Sequence, residues 1–220
     1  MHRFVWDLRY PQAKGARAPF RRPSGPLALP GNYTVQLTAR GKNSTQTLTV
    51  KMDPRVKAPQ EELVRQFELA SKLTAREGEV SLALQQIAEL CRQIEARKKE
   101  ASEKADVVKA LGELGQKLEA MVALDRDGGF GLFGLALPGK EAETLPKVAS
   151  ALGGLMAIVE STDTAPTEDA GTASEKWDKA AEDTLARWAD LQNKELASTN
   201  ALLKSANLKP VATTETSEPH

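Results

Sequence analysis

The 220-residue chain is 40% hydrophobic and 27% charged, enough apolar material for a packed core, and its one cysteine excludes an internal disulfide. Histidine occurs only as His2 and His220, which removes most routes to Ser-His, Cys-His or zinc-based catalysis, and no run of about 18 apolar residues exists to cross a membrane. The zero net charge conceals a division: residues 1–57 carry eleven Lys and Arg against Asp7 and Asp53, while the remainder carries nineteen against twenty-eight acids.

Residues 3–9 alternate, with Phe4, Trp6 and Leu8 opposite Arg3, Val5, Asp7 and Arg9, which is the period of a half-buried strand. A Pro-rich basic loop follows from Pro11 to Pro30. After Gly31, Tyr33, Val35 and Leu37 alternate with Thr34, Gln36 and Thr38 until Arg40-Gly41-Lys42-Asn43 supplies turn chemistry, and Leu48 and Val50 alternate with Thr47, Thr49 and Lys51. Three antiparallel strands over 1–57 predict part of an immunoglobulin-like sandwich, whose complete form has about seven strands. One face is then left bare, and Phe4 and Trp6 are expected to be poorly buried or to cover the helices. The basic residues of this half are scattered singly and its aromatics sit at core-like spacing, which argues against a nucleic-acid surface. Opposite charge instead favours contact between the two halves.

From Pro59 the period changes to that of helices. Pro59-Gln60-Glu61-Glu62 places Pro and then acids at a helix start, and the first helix is expected over about 59–99. Within it Leu63, Ala70, Leu84 and Cys91 share one heptad column and Leu73, Val80, Ile87 and Ile94 its neighbour, with Glu77 interrupting the first. Cys91 therefore reads as a core thiol. Further helices are expected over about 102–124, 144–161 and 172–206, the last with Trp177, Leu185, Trp188, Leu191 and Leu202 on or near its apolar stripe. The predicted fold is α+β and mainly α: a partial sandwich, then an antiparallel four-helix bundle over 58–208, then a polar, disordered tail at 209–220.

Two motifs fail their structural context. Gly129-Phe-Gly131-Leu-Phe-Gly134 satisfies G-x-G-x-x-G but follows a helix rather than a strand, with no downstream Val-Ala-x-Lys. Asp125-Arg-Asp127 begins like a calcium loop, yet Phe130 stands where Gly is required and Ala136 where a bidentate Glu is required. The acids on the helices lie mainly off the apolar stripes, and no catalytic, cofactor-binding or metal-ligating residue emerges. What remains is apolar. Phe130 and Phe133, in the glycine-rich loop, join Phe4, Trp6 and Tyr33 as candidate docking residues.

Phe4-Val-Trp-Asp-Leu-Arg-Tyr10, Pro30-Gly-Asn-Tyr-Thr-Val35 and Leu48-Thr-Val-Lys-Met-Asp-Pro-Arg55 resemble the C-terminal portion of large bacterial proteins with BNR-repeat, sortilin-like β-propellers, often labelled glycosyl hydrolase or sialidase-like. Ser161-Thr-Asp-Thr-Ala-Pro-Thr167, Trp188-Ala-Asp-Leu191 and Asn200-Ala-Leu-Leu203 are similar to the tails of such proteins. The resemblance implies an N-terminally truncated, non-catalytic module of a periplasmic or secreted parent, with the upstream propeller as partner and no cofactor. Two other roles remain: an accessory segment of a glycosyl hydrolase, or a surface that binds glycan or peptide. The family's Asp-box repeats are absent here, and its upstream strands would complete the sandwich.

Overall fold

The computed structural model describes residues 3–13, 25–123 and 143–213. Strand β1 (Gly31–Ala39) pairs antiparallel with β2 (Lys42–Val50), with Gly31 opposite Val50 and Ala39 opposite Lys42. The two-residue turn between them has φ of 50° at Arg40 and 74° at Gly41. Positive φ at both central positions matches the right-handed twist of the flanking strands, and Gly41 takes it without steric cost.

The expected first strand does not form. Residues 3–7 have no strand pairing, and among the described residues the one isolated β-bridge outside the hairpin is Arg9 with Leu27. The cause is a local turn: the Asp7 carboxylate accepts from the Arg9 backbone N–H (3.1 Å), Trp6 Nε1 donates to the Arg9 carbonyl (2.9 Å), and Leu8 adopts φ of 61°. An Asx-type turn competes with the ladder that the alternating pattern predicts. Two strands are present where three were expected, and no sandwich is formed among the described residues.

The helical part is built from α1 (Gln60–Glu100), α2 (Ala105–Val122), α3 (Leu145–Val159), α4 (Glu168–Leu191) and α5 (Ala197–Ser205), the last two joined by a π turn at Gln192–Leu196 into one fourth helix. Four helices were expected, and they pack in three columns. α1, about 60 Å long, forms the first. A methyl on Gly115 of α2 would meet Ile94 at 3.9 Å, one on Gly153 of α3 would meet Glu77 at 3.7 Å, and Gln66 Nε2 donates to the Val159 carbonyl at 2.6 Å. Thus α2 and α3 run antiparallel to α1 end to end, as one interrupted column. The fourth helix returns parallel to α1, joined to it by Arg76–Asp178 (2.7 Å) near one end and by Trp188 Nε1 donating to Gln86 (3.2 Å) further along.

The buried stripe of α1 follows this change of neighbour. Leu63, Ala70 and Leu73 are buried in its first half, and Val80, Ala83, Ile87, Leu90 and Ile94 in its second. The Leu73–Ile94 column is buried throughout, but Leu84 and Cys91 of the other column are only half-buried. Ala83 and Leu90 take their place because α3 covers one half of the helix and α2 the other. Burial, with Glu119 and Glu95 nearby, pushes the Cys91 thiol up, away from the nucleophilic thiolate.

The fourth helix shows a second departure. Trp177, Ala181, Thr184, Trp188 and Leu191 step by three and four, so the next inward position would be Glu195. The π turn inserts one residue and turns Leu196, Thr199 and Leu203 inward instead. Glu195 swings out to pair with Lys117 of α2 at 2.6 Å. Leu202, expected on the apolar stripe, is exposed, and Leu203 is fully buried.

Glu77 faces α3 with no cation paired to it among the described residues, and burial pushes its carboxyl up. A raised folded-state pKa in an acid means that ionisation opposes folding, so this destabilisation is absent below the ordinary carboxylate range and grows as pH rises through the folded value. Glu77→Gln is expected to raise unfolding free energy near neutral pH by about 1 kcal/mol and to have no effect in acid. Thermal melts of both proteins across pH check this.

Candidate docking surface

The base of the hairpin is fixed to one end of the bundle. Residues 8–10 and 25–28 run side by side, with Tyr10 N–H donating to the Pro26 carbonyl (3.0 Å), Gly25 N–H to the Tyr10 carbonyl (3.1 Å) and Ala28 N–H to the Leu8 carbonyl (2.8 Å). Glu160, at the end of α3, holds this pair with both oxygens: Oε2 takes the Arg9 guanidinium at 2.6 Å and Oε1 accepts from Leu27 N–H at 2.9 Å. Tyr10 packs on Phe67 of α1, ring centres 5.3 Å apart. The expected attraction between basic and acidic halves thus takes a specific form in Arg9–Glu160, of which Glu160 is the more deeply buried partner.

Beyond this base the hairpin is amphipathic and uncovered. The register places Tyr33, Val35, Leu37 and Ala39 on one face opposite Leu48, Gln46, Ser44 and Lys42, with Val50 opposite Gly31 at its root. It places Asn32, Thr34, Gln36 and Thr38 on the other with Thr49, Thr47, Thr45 and Asn43, so the apolar character of the first face comes mainly from β1. The polar face is closed by its own cross-strand bonds, Thr49 to Asn32 (2.8 Å) and Thr38 to Asn43 (2.7 Å). Among the described residues the apolar face is covered only at its root. There Trp6 meets Tyr33 edge to face at 5.1 Å, and the Tyr33 hydroxyl donates to the Leu29 carbonyl at 2.6 Å. Burial and the neighbouring Tyr10 push the Tyr33 phenol up. Further out, Val35 is 50% exposed, Leu37 65% and Leu48 41%. An isolated two-stranded hairpin is marginal in water, and these exposed apolar side chains make the face a candidate docking surface.

Of the candidates from the sequence, Trp6 and Tyr33 come together at the root of this face. Phe4 is 88% exposed beside them in sequence and pairs with no ring among the described residues. Phe130 and Phe133 lie outside the described residues, as do both glycine-loop motifs and the two histidines. Leu48, outside the docking set expected from sequence, joins this face because a turn at Arg40-Gly41 pairs it with Tyr33. Arg40, Lys42 and Lys51 make the exposed rim basic.

Among the described residues no three of His, Cys, Asp and Glu stand close enough to hold a metal ion, and no described helix is long and apolar enough to cross a membrane. No family model, no curated protein and no solved structure matches this chain.

Proposed function

We propose that the chain is a non-catalytic protein-interaction module: the hairpin receives a β-structured partner on its apolar face, and the helical bundle is its rigid support. The observation that carries this reading is the bare row of Val35, Leu37 and Leu48 on a hairpin whose other face is wholly polar. A second β layer over that row would form the other half of an immunoglobulin-like sandwich. The sequence resemblance gives the partner its class, a sortilin-like β-propeller or strands attached to one.

Isothermal titration against a purified sortilin-like propeller tests the proposal. The double substitution Val35→Asp, Leu37→Asp removes two side chains, each worth about 1.5–3 kcal/mol when fully buried, so binding is expected to weaken at least about a hundredfold. Because both residues are exposed in the free chain, its melting temperature is expected to stay the same. Equal binding by the double variant would refute the assignment of this face, and turnover of an aryl sialoside by the purified chain would refute the non-catalytic reading.

A further inference from the structure

The polar tail expected to be disordered is clasped, over residues 209–213, against the far end of the bundle. α5 ends in a Schellman turn, with Asn207 at φ of 56°, Leu208 N–H donating to the Leu203 carbonyl (2.9 Å) and Asn207 N–H to the Lys204 carbonyl (3.1 Å). The chain reverses there and runs back between α5 and α1. Asn200 of α5 then bonds Val211 twice: Nδ2 donates to its carbonyl and Oδ1 accepts from its N–H, both at 2.8 Å. Gln93 of α1 does the same for Ala212, with Nε2 donating to the carbonyl at 3.0 Å and Oε1 accepting from N–H at 2.9 Å. Arg97 Nε adds a bond to the Lys209 carbonyl at 3.0 Å. The Val211 side chain, gripped between these contacts, is completely buried in the bundle core.

Two side-chain amides that each pair with one residue's N–H and C=O reproduce the bonding of a neighbouring strand. They read peptide backbone rather than sequence, and a single apolar socket reads one side chain, which is how extended peptides are recognised at protein surfaces. The clasp is also prepared from behind: Gln93 Nε2 is held by Glu89 at 2.8 Å, and Arg92 and Gln93 together keep that carboxyl ionised, pushed down to about 2. We propose that the α1–α5 clasp is a peptide-binding site for an extended segment carrying a β-branched aliphatic residue, occupied in the resting chain by its own residues 209–213 as a tethered, releasable ligand.

The test uses the full chain and a fluorescein-labelled peptide, Leu-Lys-Pro-Val-Ala-Thr, followed by anisotropy. The tether leaves only a small open fraction in the unaltered chain, so apparent affinity there is reduced by that fraction. Val211→Asp empties the socket in cis and is expected to tighten binding of the free peptide about tenfold or more. Adding Asn200→Ala to that chain is expected to abolish it, as is placing Asp for Val in the peptide. A folded Val211→Asp chain with no saturable binding, or with binding indifferent to Asn200→Ala, would overturn the proposal. If Val211→Asp unfolds the chain, amide exchange in the unaltered protein decides: Val211 and Ala212 opening by a denaturant-insensitive local event supports a releasable latch, and their exchange only through global unfolding refutes it.

Discussion

Gly25→Ala is expected to release the β-hairpin from the bundle while leaving the helices folded. A methyl at this position would lie 2.4 Å from the Pro11 carbonyl oxygen and 2.5 Å from that of Tyr10. Both are backbone atoms, so no rotamer change relieves the clash. Residues 8–10 and 25–28 must separate, and Arg9 then loses the Gly25 carbonyl, which it holds at 3.0 Å, along with its alignment on Glu160. Overpacking of this kind costs about 1–3 kcal/mol, comparable with the few backbone bonds that hold the segment at about 1 kcal/mol each. Amide-exchange protection at Tyr10, Gly25, Leu27 and Ala28 is expected to fall at least tenfold, on the order of 1.4 kcal/mol, while the helical circular dichroism and its melting midpoint stay put. Unchanged protection at those four amides would show that the hairpin is not anchored through this crossing.

The larger effect on the whole fold is expected from Ile87→Ala. Ile87 lies in the buried column of α1 with 1% of its surface exposed. Removing its branched chain leaves a cavity that the surrounding helices close only partly, and the expected loss is about 2–5 kcal/mol, or a fall in melting temperature of roughly 5–15 °C for a chain of this size. Leu202→Ala is the matching control. Leu202 is 43% exposed, so its truncation is expected to cost less than about 0.5 kcal/mol. Comparable losses from the two would mean that the phase shift assigned to the π turn is wrong.

The four helices were legible because their apolar residues recur at three and four, and each observed span lies close to the periodic one. The three-column packing was not legible, since helical period says which face is buried and not which two helices share a neighbour. Leu202 and Leu203 illustrate a finer limit: both are leucines at the end of one amphipathic run, and a single inserted residue at the π turn decides between them. At the other end, residues 3–9 alternate as a strand should, but Asp7 and Leu8 form a turn whose signal is one carboxylate in an otherwise regular pattern. Among the docking candidates, Tyr33 lies on the strand its spacing predicts, while Trp6 reaches the Tyr33 ring from a turn that the alternating pattern did not foretell. The contacts at residues 209–212 were not legible because Asn200 and Gln93 are ordinary surface amides in sequence, and nothing in the polar tail announces the reversal at Asn207.

The long first helix has a metric consequence. Phe67, which meets Tyr10 at the root of the hairpin, and Gln93, which grips Ala212, belong to the same uninterrupted α1. At 1.5 Å per residue they are held about 40 Å apart. A helix backed by two other columns does not shorten or bend easily, so α1 is a ruler between two surfaces of different chemistry, one the exposed apolar side of the hairpin, the other the pair of amides that hold Val211 and Ala212. A β-structured partner and a peptide, bound at these surfaces as proposed, would have their attachment points held about 40 Å apart.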